Sequence, residues 1–382
     1  MSRPRLLFYV QHLLGIGHLR RAATLTRAIQ AAGVDVTLVS GGGPIPGLNI
    51  GDAKLVQLPP TRAGDPNFNA LVDEAGREVD DEWRRRRTEM LLDTWHALQP
   101  QVLMFEMFPF GRRQMRFEIV PLLQAVKAEP RRPAVISSVR DVLVAKRKPE
   151  RLEEMLETVE DYFDHVVVHG DPNLIRFDET FPPARRIAEK LSYTGYVVDG
   201  ETRLKGGGGG SVVVSAGSGA VGADLLRAAI EARPMTKARD EPWRILAGIT
   251  MREDAFEDIR RRAGPGILVE RARDDFQALL NDCRVSISQA GYNTMMDIVH
   301  AGCRAVVVPY ASGEETEQTL RAHRFAEKGA LQIVEEAALT PARLAAAVDA
   351  ALVGAGFSAE GIDIAGARTT AALVHNWADR AG

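Results

Sequence analysis

Residues 285–310 read VSISQAGYNTMMDIVHAGCRAVVVPY, and residues 314–322 read EETEQTLRA. The first stretch begins with a short apolar run, turns at Ala-Gly-x-x-Thr and continues at helical spacing to a second Ala-Gly pair. A second apolar run then ends in proline, and an acid-rich loop leads into another helical pattern. Strands that alternate with helices in this way predict a parallel sheet covered by helices on both faces.

The same alternation runs through the whole chain. In the second half, strands are predicted at residues 211–215, 244–247, 267–269, 285–288 and 305–308. In the first half, they are predicted at residues 5–11, 34–40, 102–105, 134–138 and 165–169. Most of these runs are apolar throughout, which is typical of strands buried on both faces. Two such series in tandem predict two Rossmann-like, doubly wound α/β domains.

A glycine-rich segment separates the two series. A chain of 382 residues is too long for one ordinary core, and the five glycines at 206–210 have the composition of a linker. We therefore predict an N-terminal domain over residues 1–198, a linker over 199–210 and a C-terminal domain over 211–358. A helix over about residues 359–381 is expected to pack back on the first domain. A ligand-binding cleft is expected between the domains.

Composition narrows the class of protein. The chain is 45% hydrophobic and 26% charged with a formal net charge of -3, so it is globular and has no basic excess for nucleic acid. Its two cysteines are too few for a disulfide framework or a paired zinc site. No apolar run approaches the roughly 18 residues of a membrane span, and residues 6–10 predict a first strand rather than a signal peptide. We expect a cytoplasmic protein.

The first of two glycine-rich turns contains Gly15, Gly17 and His18 and lies between the first strand and the first helix. Glycine allows a ligand to approach the backbone there, and a helix N-terminus offers unpaired N–H groups to an anion. His18 is expected at the carboxyl edge of the sheet, where an imidazole can accept a proton near neutral pH. A purely structural turn and histidine remain the alternative. At least one of Arg20 and Arg21 is expected to be a surface charge.

The second turn contains Ser215, Gly217, Ser218 and Gly219 and precedes a helix predicted over residues 223–232. Its backbone amides and hydroxyls can form a nest for a diphosphate without a charged side chain. The turn lacks the Gly-Lys-Ser/Thr ending of a P-loop, and it lacks the full glycine spacing and following acid of a dinucleotide-binding turn. These differences disfavour an NTPase and an oxidoreductase.

The segment from residue 285 to about 325 resembles the C-terminal donor-binding domain of glycosyltransferase family 28, which includes the bacterial peptidoglycan N-acetylglucosaminyltransferases. The resemblance rests on the order quoted above: strand, Ala-Gly-x-x-Thr turn, helix with an inward acid, Ala-Gly, apolar strand ending in proline, and Glu-Gln loop. It extends more weakly to residues 211–222 and is architectural through most of the N-terminal half. It implies a two-domain GT-B fold and a nucleotide-sugar donor.

The resemblance implies roles in donor binding for individual residues. Gly291, Asn293 and Thr294 match the turn that approaches the donor diphosphate. Asp297 matches the acidic position that hydrogen-bonds the nucleotide ribose, because a carboxylate accepts well from both ribose hydroxyls. The family more often has Glu there, and a structural helix carboxylate remains the alternative for Asp297.

Three further matches concern the sugar, the base and the acceptor. Glu317 and Gln318 match the polar pair that contacts sugar hydroxyls; both family positions are amides, so Glu317 indicates a different sugar or orientation. The loop that begins at Arg271 matches the loop that contacts a uracil or thymine edge. Residues 15–18 match the family's glycine-histidine loop, but the following Leu-Arg-Arg departs from its usual small and proline residues. The acceptor is therefore left open.

The predicted activity is that of a glycosyltransferase that moves a hexosyl group from a nucleoside-diphosphate sugar, with UDP favoured, to an unknown acceptor hydroxyl. His18 is expected to act as the base or to contact the diphosphate in an inverting displacement, with domain closure excluding water. The chain contains no Asp-x-Asp motif, so helix N-terminal amides rather than a metal ion are expected to hold the diphosphate. No cofactor is expected.

Two other functions remain open at this stage. A non-hydrolysing nucleotide-sugar 2-epimerase shares the architecture but needs catalytic carboxylates, and a nucleotide-sugar-binding protein needs no turnover. Strand-end residues such as Glu106, Asp141, His169 and Asp171 can face the cleft, but a structural role is favoured for each. The acceptor is a small molecule, a glycan or a lipid-linked molecule. Several of the arginines at 84–87 are expected on a solvated helix face, so peripheral membrane contact is not favoured.

Overall fold

A computed structural model describes residues 3–13, 15–64, 70–143, 148–200, 210–217, 222–273, 275–311, 316–329 and 331–381. The chain divides into two compact units. Unit 1 comprises Met1–Val197 and Asp363–Gly382, and unit 2 comprises Val198–Ile362. Residues 201–209 of the predicted linker lie outside the described residues.

The described strands alternate with helices along both units. The strands of unit 1 are β1 (Arg5–Val10), β2 (Asp35–Ser40), β3 (Lys54–Gln57), β4 (Arg62–Ala63), β5 (Leu71–Val72), β6 (Val102–Glu106), β7 (Ala134–Arg140), β8 (His165–His169) and β9 (Leu191–Tyr193). Those of unit 2 are β10 (Val212–Ser215), β11 (Trp243–Ala247), β12 (Ile267–Arg271), β13 (Val285–Ser288), β14 (Ala305–Val307) and β15 (Leu331–Ile333). All the strands predicted from the sequence are present, with ends that differ by no more than two residues.

The helices fill the connections between the strands. In chain order they are α1 (Gly17–Ala31), α2 (Asp81–Leu98), α3 (Arg116–Ala128), α4 (Pro149–Tyr162), α5 (Phe177–Thr180), α6 (Ala223–Ala232), α7 (Glu253–Arg262), α8 (Phe276–Asn281), α9 (Tyr292–Ala301), α10 (Glu317–Ala326), α11 (Pro341–Val353) and α12 (Gly366–Ala381). The helix predicted over residues 223–232 is confirmed as α6. The C-terminal helix α12 begins later than the predicted residue 359.

The main sheet of unit 1 has the strand order β3-β2-β1-β6-β7-β8-β9, and all its neighbouring strands run parallel. Leu7 and Tyr9 of β1 point into a core shared with α2, α3 and α4, whereas Leu6, Phe8 and Val10 point into a core shared with α1 and α12. Successive side chains of a strand point to opposite faces, so helices cover both faces of this sheet. The order reverses between β1 and β6, the switch point at which such sheets bind ligands.

The C-terminal segment belongs to unit 1. Helix α12 packs on α1, and its Val374 and Trp377 lie in the same core as β1. The Trp377 ring also stacks on the His165 ring at a centroid distance of 3.9 Å. Before the helix, the backbone N–H of Asp363 donates to the Asp171 carboxylate at 2.9 Å. Asp171 thus has the structural role that the sequence analysis favours.

Several arginines of α2 were predicted on a solvated face, and Arg87 is not one of them, because it is fully buried. Its guanidinium donates to the carboxylate of Glu118, which is also fully buried, and to the carbonyl oxygens of Gly41 and Pro59. The Tyr9 hydroxyl donates to the same carboxylate. Two buried opposite charges are tolerated only when they are paired and hydrogen-bonded, so this cluster fixes α2 and α3 against β1.

The sheet of unit 2 has the order β12-β11-β10-β13-β14-β15, and its described strands are all parallel. Val212, Val214, Ile245, Ile287 and Val306 form the centre of its core and are fully buried. Burying each such side chain contributes about 1.5–3 kcal/mol. The order reverses between β10 and β13, so this unit also has a switch point.

The lengths and compositions of the described helices show whether any of them can cross a membrane. None of them combines the length and the apolar character that crossing a bilayer requires. The longest, α2, carries the arginine run and acidic residues in its first turn. The 18 residues of this helix therefore belong to the unit 1 fold, with Leu91 and Trp95 buried in the core.

Replacing Arg87 by Met should lower the free energy of unfolding of unit 1 by about 3–5 kcal/mol, because Glu118 is then left as an unpaired buried charge. Chemical denaturation followed by circular dichroism measures the loss. Arg85→Met is the matched control on the same helix, because the Arg85 guanidinium is exposed and pairs with Glu89 at the surface. Equal losses in the two variants would contradict the assignment of the buried pair.

Candidate active site

His18 lies in the first turn of α1, which begins at Gly17 rather than after the predicted turn. Its side chain is 15% exposed, and its Nδ1 lies 2.8 Å from Oε1 of Glu106. Glu106 is the last residue of β6, the strand next to β1. The switch point of unit 1 therefore brings the start of α1 and the end of β6 together, and with them a histidine and a carboxylate.

Glu106 is fully buried and accepts hydrogen bonds from three side chains. Its Oε1 accepts from His18 and Arg21, and its Oε2 accepts from the Ser138 hydroxyl at 2.8 Å. An ionised carboxylate has no proton to donate. Nδ1 of His18 therefore carries the proton in this contact, and Nε2 keeps the lone pair. The contact between Glu106 and Arg21 was not predicted from the sequence, where the two residues were considered separately.

Burial lowers the pKa of His18 well below its ordinary value, and the nearby Arg112, Arg140 and Arg21 lower it further. The imidazole is therefore neutral at pH 7. A neutral imidazole with a lone pair on Nε2 and a carboxylate on Nδ1 has the arrangement of a general base. The geometry thus supports the base hypothesis for His18 more directly than the diphosphate-contact hypothesis.

Three arginines lie near His18. Arg21, Arg112 and Arg140 all act on the imidazole, and Glu106 is the carboxylate in contact with it. Arg112 follows β6 in a left-handed backbone conformation with φ of 61°. Burial lowers the pKa of Arg112 to about 10, so its guanidinium stays charged at neutral pH. Arg112 and Arg140 are not among the residues predicted from the sequence; their signal is an arginine at the end of a strand or in the loop that follows it.

A second histidine, His12, lies at the same edge and is 7% exposed. Burial and the neighbouring Arg112 lower the pKa of His12 to about 4. At Gly42, a Cβ atom would come within 2.3 Å of the His12 ring, so glycine is required there for the ring to fit. At Gly15, by contrast, a Cβ atom would meet no described atom within 4 Å. Packing among the described residues therefore does not explain glycine at position 15, and ligand approach remains the prediction.

In unit 2, Ser215 and Gly217 of the turn after β10 lie among the described residues. Ser215 is buried, and its hydroxyl accepts from the backbone N–H of Gly217 at 3.1 Å. Gly217 has φ of +73°, a conformation that favours glycine. The predicted residues Ser218 and Gly219 lie outside the described residues. Helix α6 begins shortly after, at Ala223.

The turn after β13 lies beside the turn after β10, because Ser215 pairs with Ser288 across the two strands. Gly291 immediately precedes α9, and a Cβ atom there would meet no described atom within 4 Å. Asn293 and Thr294 lie in the first turn of the helix. Asp297 follows one turn later, so these polar residues share one face of α9. The switch point of unit 2 thus combines two helix N-termini, which can bind an anion.

The pair Glu317 and Gln318 begins α10, and both side chains are held in place. Glu317 is buried, and its Oε1 accepts from Arg321 at 2.8 Å. Arg321 is fully buried and also donates to the carbonyl oxygen of Ala290, next to the α9 turn. The Gln318 amide oxygen accepts from the backbone N–H of Tyr310 at 3.1 Å. Arg321, which the sequence analysis does not single out, therefore joins the α9 and α10 turns.

Arg271 is the last residue of β12 rather than the first residue of a loop. Its guanidinium donates to the carbonyl oxygens of Gly248 and Met251 and lies 4.1 Å from the centre of the Phe256 ring. These contacts hold the segment between β11 and α7. The side chain is therefore engaged within unit 2, and contact of the following loop with a base stays a prediction.

Residues 212–363 match the glycosyltransferase family 28 C-terminal domain, which confirms the resemblance seen in the sequence. The match covers almost all of unit 2. Solved structures of GT-B glycosyltransferases resemble the whole chain. The predicted fold class, GT-B with two Rossmann-like parallel sheets, is thereby confirmed.

Three individual glycosyltransferases are similar to this chain. The UDP-N-acetylglucosamine–N-acetylmuramyl-(pentapeptide) pyrophosphoryl-undecaprenol N-acetylglucosamine transferase of Glaesserella parasuis serovar 5 is 28% identical over 187 residues, 49% of this chain and 47% of the relative. The match thus spans about half the length of that relative. MurG of Acinetobacter baumannii has a TM-score of 0.58 at 16% identity over 98% of this chain and 100% of that one. CalG4, the calicheamicin glycosyltransferase, has a TM-score of 0.59 at 15% identity over 100% and 96%.

Replacing His12 by Asn should flatten the loss of stability on acidification. The folded-state pKa of about 4 lies below the unfolded value near 6.5, so protons bind more tightly to the unfolded chain. His12 therefore removes about 1.4 kcal/mol of stability per pH unit as pH falls from 6.5 to 4. Denaturation at pH 7, 6 and 5 measures the slope, with His96→Asn as the exposed control on α2. Parallel pH dependences for the His12 variant and wild type would contradict the assignment.

Proposed function

We propose that this protein is a glycosyltransferase that transfers a hexosyl group from a nucleoside-diphosphate sugar to an acceptor hydroxyl, with inversion and without a metal ion. The observation that carries the proposal is the buried contact between His18 and Glu106 at the switch point of unit 1. The family 28 match of unit 2 supports a nucleotide-sugar donor. UDP is the favoured nucleotide, because the Glaesserella relative is named for a UDP-sugar.

In the proposed reaction, Nε2 of His18 accepts the proton of the acceptor hydroxyl as its oxygen attacks the anomeric carbon. The bond from that carbon to the diphosphate breaks, and the nucleoside diphosphate leaves. The imidazolium that forms is stabilised by the Glu106 carboxylate through Nδ1–H. Arg21 also holds Oε1 of Glu106, which keeps the carboxylate directed at the imidazole.

The donor is proposed to bind at the carboxyl edge of the unit 2 sheet. The N-termini of α6 and α9 point their amides to this edge, and such amides stabilise the charge that develops on a leaving diphosphate. Asp297 is proposed to contact the ribose, and Glu317 and Gln318 the sugar hydroxyls. The ion pair with Arg321 supports this role, because it fixes the direction of the Glu317 carboxylate.

The acceptor is proposed to carry an anionic group, most simply a phosphate. Arg112 and Arg140 place two guanidinium groups close enough to His18 to lower the pKa of its imidazole. A guanidinium is a strong partner for phosphate oxygens. The Glaesserella relative is named for a pyrophosphoryl-linked lipid acceptor, which is of the same chemical class.

The proposed transfer is preferred to two alternatives. A 2-epimerase needs carboxylates that react with the sugar, whereas Glu106 is fully buried and accepts from three protein side chains. A protein that only binds a nucleotide sugar needs no general base, so that function does not account for the buried histidine at the start of α1. Turnover of donor without any acceptor would favour the epimerase, and donor binding without transfer would favour the binding protein.

Replacing His18 by Ala should lower the transfer rate by at least ~100-fold, the lower range for a general base, while donor binding is retained. Transfer is measured as release of nucleoside diphosphate in the presence of EDTA. Donor binding is measured as thermal stabilisation by a panel of nucleoside-diphosphate sugars. His96→Ala, at an exposed position of α2, is the control. An unchanged rate would remove His18 from the role of base, and loss of wild-type transfer in EDTA would contradict metal independence.

Replacing Arg112 by Gln should raise the KM for a phosphate-bearing acceptor by about 10-fold or more, because a charge-assisted hydrogen bond contributes about 1.5–3 kcal/mol. The KM for a matched acceptor without the phosphate should change little. Arg113→Gln is the control, because the neighbouring Arg113 is exposed and pairs with Glu154. Equal effects on the charged and uncharged acceptors would contradict the anionic-acceptor proposal.

A further inference from the structure

A buried chain of hydrogen bonds leads away from Glu106 on the side opposite to His18. The Ser138 hydroxyl, on β7, lies 2.8 Å from Oε2 of Glu106 and 2.9 Å from Nε2 of His169. Nδ1 of His169, at the end of β8, lies 2.9 Å from the hydroxyl of Thr194, which follows β9. Ser138, His169 and Thr194 are all 0% exposed. The chain therefore crosses the sheet from β6 to β9 without reaching solvent.

The positions of the Ser138 and His169 protons follow from the ionised carboxylate of Glu106. Ser138 has a single hydroxyl proton, and the carboxylate of Glu106 can only accept it. The Ser138 oxygen must then accept from Nε2–H of His169. Burial lowers the pKa of His169 well below its ordinary value, so the ring is neutral and its Nδ1 accepts from the Thr194 hydroxyl. The Ser138 hydroxyl and Nε2–H of His169 thus point towards Glu106, whereas the Thr194 hydroxyl also lies 3.2 Å from the carbonyl oxygen of Gly195 and 3.4 Å from that of Val168.

We propose that Ser138, His169 and Thr194 are positioning residues, which fix the Glu106 carboxylate and through it the Nδ1–H tautomer of His18. The inference rests on the proposed role of His18 as the base. A carboxylate held at Oε2 by this chain cannot rotate, so Oε1 stays directed at Nδ1 of His18. Outer partners of metal-bound histidines act in this way, and their loss reduces activity about 10–100-fold. We expect an effect of the same order for His18.

Two neighbouring serines of β7 provide a matched pair of variants. Ser138 and Ser137 are adjacent on β7 and both fully buried, but the Ser137 hydroxyl donates to the carbonyl oxygen of Phe108 at 2.7 Å. Ser138→Ala and Ser137→Ala therefore remove the same group from the same strand, and only the first breaks the chain to Glu106. A second pair is His169→Gln, whose amide can replace both hydrogen bonds, and His169→Leu, which replaces neither.

The experiment measures histidine tautomers by 15N NMR on the full-length protein at pH 7.5, with His18 assigned from the spectrum of His18→Gln. Wild-type His18 should be protonated at Nδ1 and His169 at Nε2. In Ser138→Ala and His169→Leu, the His18 signals should move towards values for mixed tautomers, whereas Ser137→Ala and His169→Gln should match the wild type. Wild-type-like His18 signals in Ser138→Ala, or equal shifts in Ser138→Ala and Ser137→Ala, would overturn the proposal.

Kinetics provide the second readout. The kcat for transfer should fall by about 10-fold in Ser138→Ala and His169→Leu at unchanged donor KM, and His169→Gln should restore most of it. Equal losses of kcat in Ser137→Ala and Ser138→Ala would show a structural effect and overturn the positioning role. The tautomer measurement needs no substrate. If wild type transfers no sugar, the proposed function fails, and the NMR comparison still decides whether this chain positions His18.

Discussion

The buried carboxylate of Glu106 constrains the whole carboxyl edge of unit 1. A charge removed from water is tolerated only when its partners replace the lost hydration, and here those partners come from α1 and β7. The start of α1 must therefore stay close to the end of β6. The same requirement sets the tautomer of His18 and leaves its Nε2 as the basic atom. The position of α1 beside β6 and the chemistry that we propose thus both depend on the Glu106 carboxylate.

The two units offer different groups for binding an anion. At the edge of unit 1, charged side chains predominate, with Arg112 and Arg140 around a neutral imidazole. At the edge of unit 2, the N-termini of α6 and α9 present backbone amides, and the guanidinium of Arg321 is committed to Glu317 and Ala290. Amides bind a diphosphate without competing ion pairs. This division suits an acceptor site in unit 1 and a donor site in unit 2.

Much of the fold could be predicted from the sequence, because fully buried parallel strands are continuous apolar runs and their ends fall at glycine or polar residues. The family-specific order in residues 285–325 also predicted the GT-B class. The cluster around Glu106 could not be predicted, because His18 and Glu106 are 88 residues apart in the chain and meet only through the β1–β6 pairing. Arg87 was missed for the same reason: an arginine in a charged run carries no local sign of a buried partner in α3. The assigned donor and acceptor residues remain predictions.

The most direct measurement of the central claim is the rate of sugar transfer by Glu106→Gln at saturating donor, compared with wild type. The amide keeps the shape of the side chain but removes the charge that stabilises the His18 imidazolium. The account predicts a loss of about 100-fold or more in rate, in line with the loss of a general base, with donor affinity unchanged. A variant that transfers sugar at the wild-type rate would contradict it.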